Sequence, residues 1–223
     1  MDNKWRLKEE TLLYYIKRFA PSLRDVCIKI KGRTYHVDEN GSNIVWAYVC
    51  PLCMDSTIAI VGLQVIHNDE FDLDHYPPKS VGGTRTVLTC KPCNSNAGDS
   101  YDYTLKQVLE SRNFWVRKDP DAEILTKAVY QGAKGWYHSK LKHNDGILVH
   151  LWETKKTPNN VQQWMAEATK QLNWKIELSF SEPSEKLVYK ALLKAAYLYC
   201  FSVFGYEFAF THIATNIRNI LNS

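Results

Sequence analysis

Four of the six cysteines fall into two Cys-x-x-Cys pairs, Cys50-Pro-Leu-Cys53 and Cys90-Lys-Pro-Cys93. Two residues between the thiols let both sulfurs of a tight turn face one ion, and two such turns complete a tetrahedral site. A Zn²⁺ held this way has four protein ligands and no open position, so it is a structural staple rather than a catalytic metal. One pair alone would also suit redox chemistry, whereas two pairs favour metal. Cys27 and Cys200 stand apart and read as small core residues. The other groups able to do chemistry lie between and just after the pairs: Asp74-His75, and Asn94 directly after the last paired cysteine. A histidine titrates near ~6.5 and can take a proton from water at neutral pH. Asp72 is close enough in sequence to orient such a site from behind. His67 and Asp69 read as an exposed polar turn.

These residues sit in two ordered runs. The first is Phe71-Asp-Leu-Asp-His75-Tyr-Pro-Pro-Lys-Ser80-Val-Gly-Gly83, and the second is Val87-Leu-Thr-Cys90-Lys-Pro-Cys93-Asn94-Ser-Asn-Ala-Gly98. Together they resemble the HNH endonuclease family, whose ββα-metal core reads Asp-His-x-x-Pro-x-Ser-x-Gly-Gly and then Leu-x-Cys-x-x-Cys-Asn. The likeness covers roughly residues 50–103, and the second run also looks like the HNH domain of RNA-guided DNA-cleaving enzymes. It implies His75 as general base, Asp74 and Asn94 as ligands of a catalytic Mg²⁺ or Mn²⁺, and the four cysteines as a structural Zn²⁺ site. The activity it implies is metal-dependent hydrolysis of double-stranded DNA, leaving 5′-phosphate and 3′-hydroxyl ends, in the setting of restriction or anti-phage defence. One position departs from the family pattern. The middle Asn that braces the loop carrying the base is replaced by Arg85, followed by Thr86. Arg85, with Lys79 and Lys91, is then a candidate phosphate contact. The departure keeps two alternatives open: a non-catalytic zinc module that binds nucleic acid or protein, and a nuclease active only with a partner.

Adjacent residues on a strand point to opposite faces, so Asp74 and His75 need a kink or loop to share one site. Pro77-Pro78 and Gly82-Gly83 are suited to such irregular backbone. Upstream, Leu12, Leu13, Ile16 and Phe19 have helical spacing that Pro21 ends. Val26, Ile28 and Ile30 alternate as a strand before Gly32, and Asn40-Gly41 marks a turn ahead of the apolar run 44–49. A second apolar run covers 57–65. Downstream, residues 103–114 read as a helix continuing the motif, and 147–152 as a buried strand. Trp174, Ile176, Leu178 and Phe180 form an alternating strand, and Val161, Trp164, Met165 and Ala168 one helix face. A helical stripe from Leu187 to Leu198 is broken at Gly205, and Ile213, Ile217, Ile220 and Leu221 mark a last helix.

The expected architecture is therefore α+β. Residues 1–49 form a helix and β region packing on the core, and 50–115 the zinc-stapled ββα-metal core. Residues 116–223 form a mixed α/β and helical region for DNA binding, dimerisation or partner docking. At 223 residues, with 45% hydrophobic and 23% charged residues, the chain can bury a core without disulfides and is neither disordered nor fibrous. Its +4 net charge is unevenly spread: residues 50–105 are acidic, and the segments on either side are basic. A cation-dependent site acting on a polyanion would need that distribution. Lysines and aromatics over 127–143, and Lys4, Arg6, Lys8, Lys17 and Arg18, suit either nucleic acid or an ordinary solvated face. The aromatic stripe from Tyr197 to Phe210 suits a core or a homodimer interface. The apolar run 187–210 is interrupted by Lys190, Lys194 and Glu207, and no apolar stretch follows the first charged residues. The expectation is a soluble, cytoplasmic protein with no membrane partner.

Overall fold

The structure, a computed structural model, describes residues 9–23, 27–30, 33–36, 45–61, 64–67, 69–116, 123–130, 137–143, 147–152, 170, 176–179 and 183–223. The helix face at Val161–Ala168, the turn around Asn40-Gly41 and the residues Lys4, Arg6, Lys8, Lys134 and Trp136 lie outside them. The chain divides into two compact units, Met1–Leu105 with Glu185–Ser223, and Lys106–Ser184. The last helices, grouped from the sequence with residues 116–184, are thus part of the first unit. Small antiparallel sheets combined with helices make this an α+β protein.

The first unit begins with α1 (Glu9–Phe19), which turns Tyr15, Ile16 and Phe19 inward and ends in the 3₁₀ turn Ala20–Leu23 at Pro21. Hairpin strands β1 (Cys27–Ile30) and β2 (Arg33–His36) follow. Next comes an antiparallel meander of β3 (Val45–Val49), β4 (Thr57–Val61) and β5 (Gln64–His67), in which Ala47 pairs with Ala59. The two-stranded ribbon β6 (Phe71–His75) and β7 (Thr86–Cys90) leads straight into α2 (Lys91–Ala97). A π turn over Gly98–Asp102 joins α2 to α3 (Tyr103–Trp115). After the second unit come α4 (Glu185–Phe204), α5 (Tyr206–Ala209) and α6 (His212–Asn222). Gly205 has φ 62, a left-handed conformation that ends α4 and favours glycine. Thr211 caps α6 by accepting from the Ala214 amide at 3.1 Å.

The core of this unit joins its two ends. Phe201 of α4 stacks on Phe19 of α1 with centroids 4.9 Å apart, and Tyr48 of β3 sits edge-on to both rings. By length and composition α4 is apolar enough to cross a membrane, and it passes that test as a core helix also would. Its inward face carries Ala191, Tyr197, Leu198 and Phe201, and it also buries Lys190 and Lys194.

The second unit is a four-stranded antiparallel sheet in the order β10-β9-β8-β11. Its strands are β8 (Glu123–Tyr130), β9 (Tyr137–His143), β10 (Ile147–Trp152) and β11 (Ile176–Ser179). Ile124 and Leu141, paired across β8 and β9, are buried with Phe114. Strands β8 and β9 escape the sequence reading because β8 has no period of two, and β9 sets Leu141 between Lys140 and Lys142 in a mostly polar run. That pattern is equally that of a solvated surface.

Candidate functional site

Cys50 leaves the end of β3 and enters a tight turn. Its amide donates to Ser56 O at 2.8 Å, and its carbonyl accepts from the Met54 amide at 2.9 Å. Met54 takes φ 58, so the chain doubles back and brings Cys53 beside Cys50. Cys90 ends β7 and sits at the N-cap of α2, and Cys93 lies in the first turn of that helix. The four Sγ atoms all lie within 4.8 Å of one another, and Cys53 and Cys90 are 3.8 Å apart. Zn–S bonds of about 2.3 Å put the sulfurs of a tetrahedron about 3.8 Å apart, whereas a disulfide needs about 2.05 Å. Backbone amides of Ser56 and Cys90 point at Cys53 Sγ and Cys50 Sγ, at 3.5 and 3.4 Å. Burial pushes the Cys50 thiol up, while hydrogen bonds from its sulfur neighbours and from Ser56 hold Cys53 down. Four thiols so close cannot all ionise without a cation, and one Zn²⁺ removes the conflict. The four cysteines expected to bind zinc are therefore together, in a geometry that fits it.

Two tyrosines from the C-terminal helices brace this knuckle; the aromatic stripe they belong to reads from the sequence as core or interface, without a link to the cysteines. Tyr197 donates to Pro51 O, inside the first pair, at 2.6 Å, and itself accepts from Arg218 at 2.9 Å. Tyr206 accepts from the Val49 amide at 2.6 Å and donates back to the Val49 carbonyl.

Strands β6 and β7 pair in unbroken register, with Asp74 opposite Val87 and His75 opposite Thr86. Regular alternation therefore turns Asp74 and His75 to opposite faces of the ribbon. The irregular backbone comes one residue later, where Tyr76 N donates to Arg85 O at 3.0 Å and the Tyr76–Pro77 peptide is cis. His75 is half-buried, and its ring has no hydrogen-bond partner among the described residues. Partial burial, and then the charge of Lys79, lower its pKa below the ordinary histidine value against the pull of Asp72. The neutral, proton-accepting imidazole is thereby favoured. Thr86, beside the position where the family pattern has its Asn, is held instead by Tyr15, whose hydroxyl lies 3.1 Å from Thr86 O and 2.7 Å from Thr86 Oγ1.

Asp74 is 3% exposed. Its Oδ1 accepts from Lys194 Nζ at 2.9 Å, and its Oδ2 from Thr89 Oγ1 at 3.4 Å. Lys194 also reaches Asp102 Oδ2 at 2.8 Å. Burial raises the Asp74 carboxyl to about 6 even with that ammonium beside it. Asn94 lies half-buried on the first turn of α2, and its side chain has no partner among the described residues. As its side chain stands, Asp74 does not fit a Mg²⁺ that exchanges with solvent. Both Asp74 oxygens are engaged, and a cation already sits against Oδ1. Lys79 and Arg85 are exposed, with the Arg85 guanidinium 5.7 Å from the Tyr199 ring centroid. Lys91 is exposed and paired with Glu70. Lys194 and Asp102 escaped the sequence reading. The one available signal was a pair of lysines four apart, Lys190 and Lys194, inside an apolar helical stripe.

Comparisons with protein-family models, with curated proteins and with solved structures find no match for this chain.

Proposed function

We propose that this chain is a phosphodiester hydrolase of the HNH type acting on DNA, with zinc as its structural staple. The observation that carries the reading is the local order: a strand ending on a half-exposed His75, a partner strand ending on Cys90, and a helix opening with Cys93 and Asn94, all tied by one four-cysteine cluster. In this scheme His75 takes the proton of the attacking water as the water oxygen bonds to phosphorus, the bond from phosphorus to the 3′ oxygen breaks, and that oxygen takes a proton from solvent to become the 3′-hydroxyl. The lowered pKa of His75 supports that role, because the imidazole is then free to accept a proton at neutral pH. Exposed Lys79 and Arg85 flank the loop after His75 and suit contacts to phosphates. A need for Mg²⁺ or Mn²⁺ and a place in restriction or anti-phage defence rest on the resemblance alone.

The burial of Asp74 against Lys194 favours a second reading: a nuclease silent until a partner acts on it, or a zinc module that only binds. Supercoiled-plasmid cleavage by zinc-loaded protein, in Mg²⁺, Mn²⁺ and EDTA, separates these readings when His75→Ala is run beside the parent. The nuclease reading expects cation-dependent nicking or linearisation that His75→Ala abolishes. Equal cutting by both proteins refutes His75 as the base. No cutting by folded protein moves the weight to the second reading.

A further inference from the structure

Lys194 is 1% exposed, Asp74 3% and Asp102 7%, and all three meet within hydrogen-bond distance. Two buried carboxylates share one ammonium, which leaves the cluster one negative charge in excess. A second observation points the same way: Asp102 Oδ1 is buried and has no hydrogen-bond partner among the described residues. A buried carboxylate oxygen left unpaired is costly, and buried charges are ordinarily paired or bound to metal. A divalent cation in the place of the ammonium would neutralise both carboxylates, and Asp102 could then bind through both oxygens. Cation–oxygen bonds of about 2.1 Å require the carboxylates to close in by less than about 1 Å from their present distances to nitrogen. Thr89 Oγ1, already at Asp74 Oδ2, is a further oxygen at the site. Tyr101, whose ring centroid lies 6.0 Å from Lys194 Nζ, also lines a cavity of about 250 Å³ with Cys93, Asn96 and Ser100. That cavity adjoins the ring that borders the cluster.

We infer that Asp74 and Asp102 form a latent divalent-cation site in which the Lys194 ammonium stands where the metal would be. The site takes a cation only when that side chain is withdrawn or removed. Its ligand pair is thus Asp74 with Asp102, and not Asp74 with Asn94. Its biological meaning rests on the nuclease reading, since a tethered cation at Asp74 would hold such an enzyme closed. Its chemistry can be read without any cleavage.

The test is Mn²⁺ titration of the zinc-loaded chain, following the free-ion electron paramagnetic resonance signal. It compares the parent, Lys194→Met, and Lys194→Met with Asp102→Asn. The expected result is one Mn²⁺ bound by Lys194→Met at least about ten-fold more tightly than by the parent, and lost again in the double variant. Mn²⁺ should raise the melting temperature of Lys194→Met alone. A Lys194→Met chain that folds only with Mn²⁺ present supports the inference as well. It is overturned if the parent binds Mn²⁺ as tightly as Lys194→Met. It is overturned too if Lys194→Met binds none, or fails to fold with Mn²⁺ and without it. Parent protein that cuts plasmid with an Mn²⁺ held at Asp74 would sink this inference and leave the nuclease reading standing. Mn²⁺ bound by Lys194→Met, with no cutting by any variant, would do the reverse.

Discussion

The loop that carries the chain from His75 back to β7 sets a sharp difference between two neighbouring glycines. Gly82 has φ 90, and a Cβ built there meets nothing within 4 Å. Gly83 faces inward, where a Cβ would lie 1.6 Å from Pro77 O, 2.6 Å from Pro77 C and 3.1 Å from Pro78 O. Carbon–oxygen contacts are comfortable at about 3.3 Å, so the two backbone segments must part by roughly 1.7 Å. No flexible side chain can absorb that movement, and the Gly83 N to Pro78 O hydrogen bond at 3.2 Å would go with it. For Gly82→Ala the cost is the left-handed conformation alone, about 1–2 kcal/mol. For Gly83→Ala the lost hydrogen bond, near 1 kcal/mol, adds to overpacking and backbone strain of roughly 1–3 kcal/mol each, so about 3 kcal/mol or more is expected. Urea unfolding of zinc-loaded protein measures both. Zinc content should stay unchanged, because the cysteines lie outside the loop. If the chain cuts DNA, a shift of about 1 Å at His75 should slow Gly83→Ala by about 100-fold, with a smaller effect from Gly82→Ala. A Gly83→Ala protein no less stable than Gly82→Ala would refute the reasoning, because the clash would then not exist.

Metal analysis of the purified chain should give one zinc per protein, and Cys90→Ser should lose it. Structural zinc is worth roughly 10–16 kcal/mol in small zinc peptides, so the zinc-free first unit should not survive as a cooperative fold; an unchanged melting temperature after chelation would contradict this. Tyr206→Phe leaves the buried Val49 amide and carbonyl without the hydroxyl that bridges them, and should cost about 1–3 kcal/mol in denaturant unfolding. By NMR the His75 ring should titrate below the ordinary value of about 6.5, with Lys79→Ala moving the midpoint upward. A midpoint unmoved by that change would remove Lys79 as a cause.

How much of the molecule was legible in advance follows the range of the interactions involved. The two Cys-x-x-Cys pairs are local signals, since each needs only a tight turn, and the one long-range step is that both turns meet the same ion. The four sulfurs do meet. Helix α1 with its stop at Pro21, the break at Gly205, and strands β3 and β10 were equally legible, because periodicity and turn residues act over a few positions. The partners of the candidate site were not. Asp74 was read through its neighbour His75, yet its nearest cation comes from Lys194, 120 positions away. Nothing in the sequence around either residue encodes that meeting.

The two lysines in the apolar stripe of α4 looked like interruptions of a core face. A lysine is tolerated there when buried groups compensate its charge, so an interior ammonium is itself evidence for a partner. Lys194 meets two carboxylates, whereas among the described residues Lys190 reaches the Leu221 carbonyl, at 3.4 Å. Asp74 and Asp102 are therefore tied to α4 through one buried ammonium, a weaker tether than the cysteine cluster that joins β7 to β3. Loss of Lys194 would leave both carboxylates buried and uncompensated, a change that ordinarily costs about 3–5 kcal/mol. Whatever chemistry His75 performs, α4 cannot be removed as an appendage without exposing the strand that carries it.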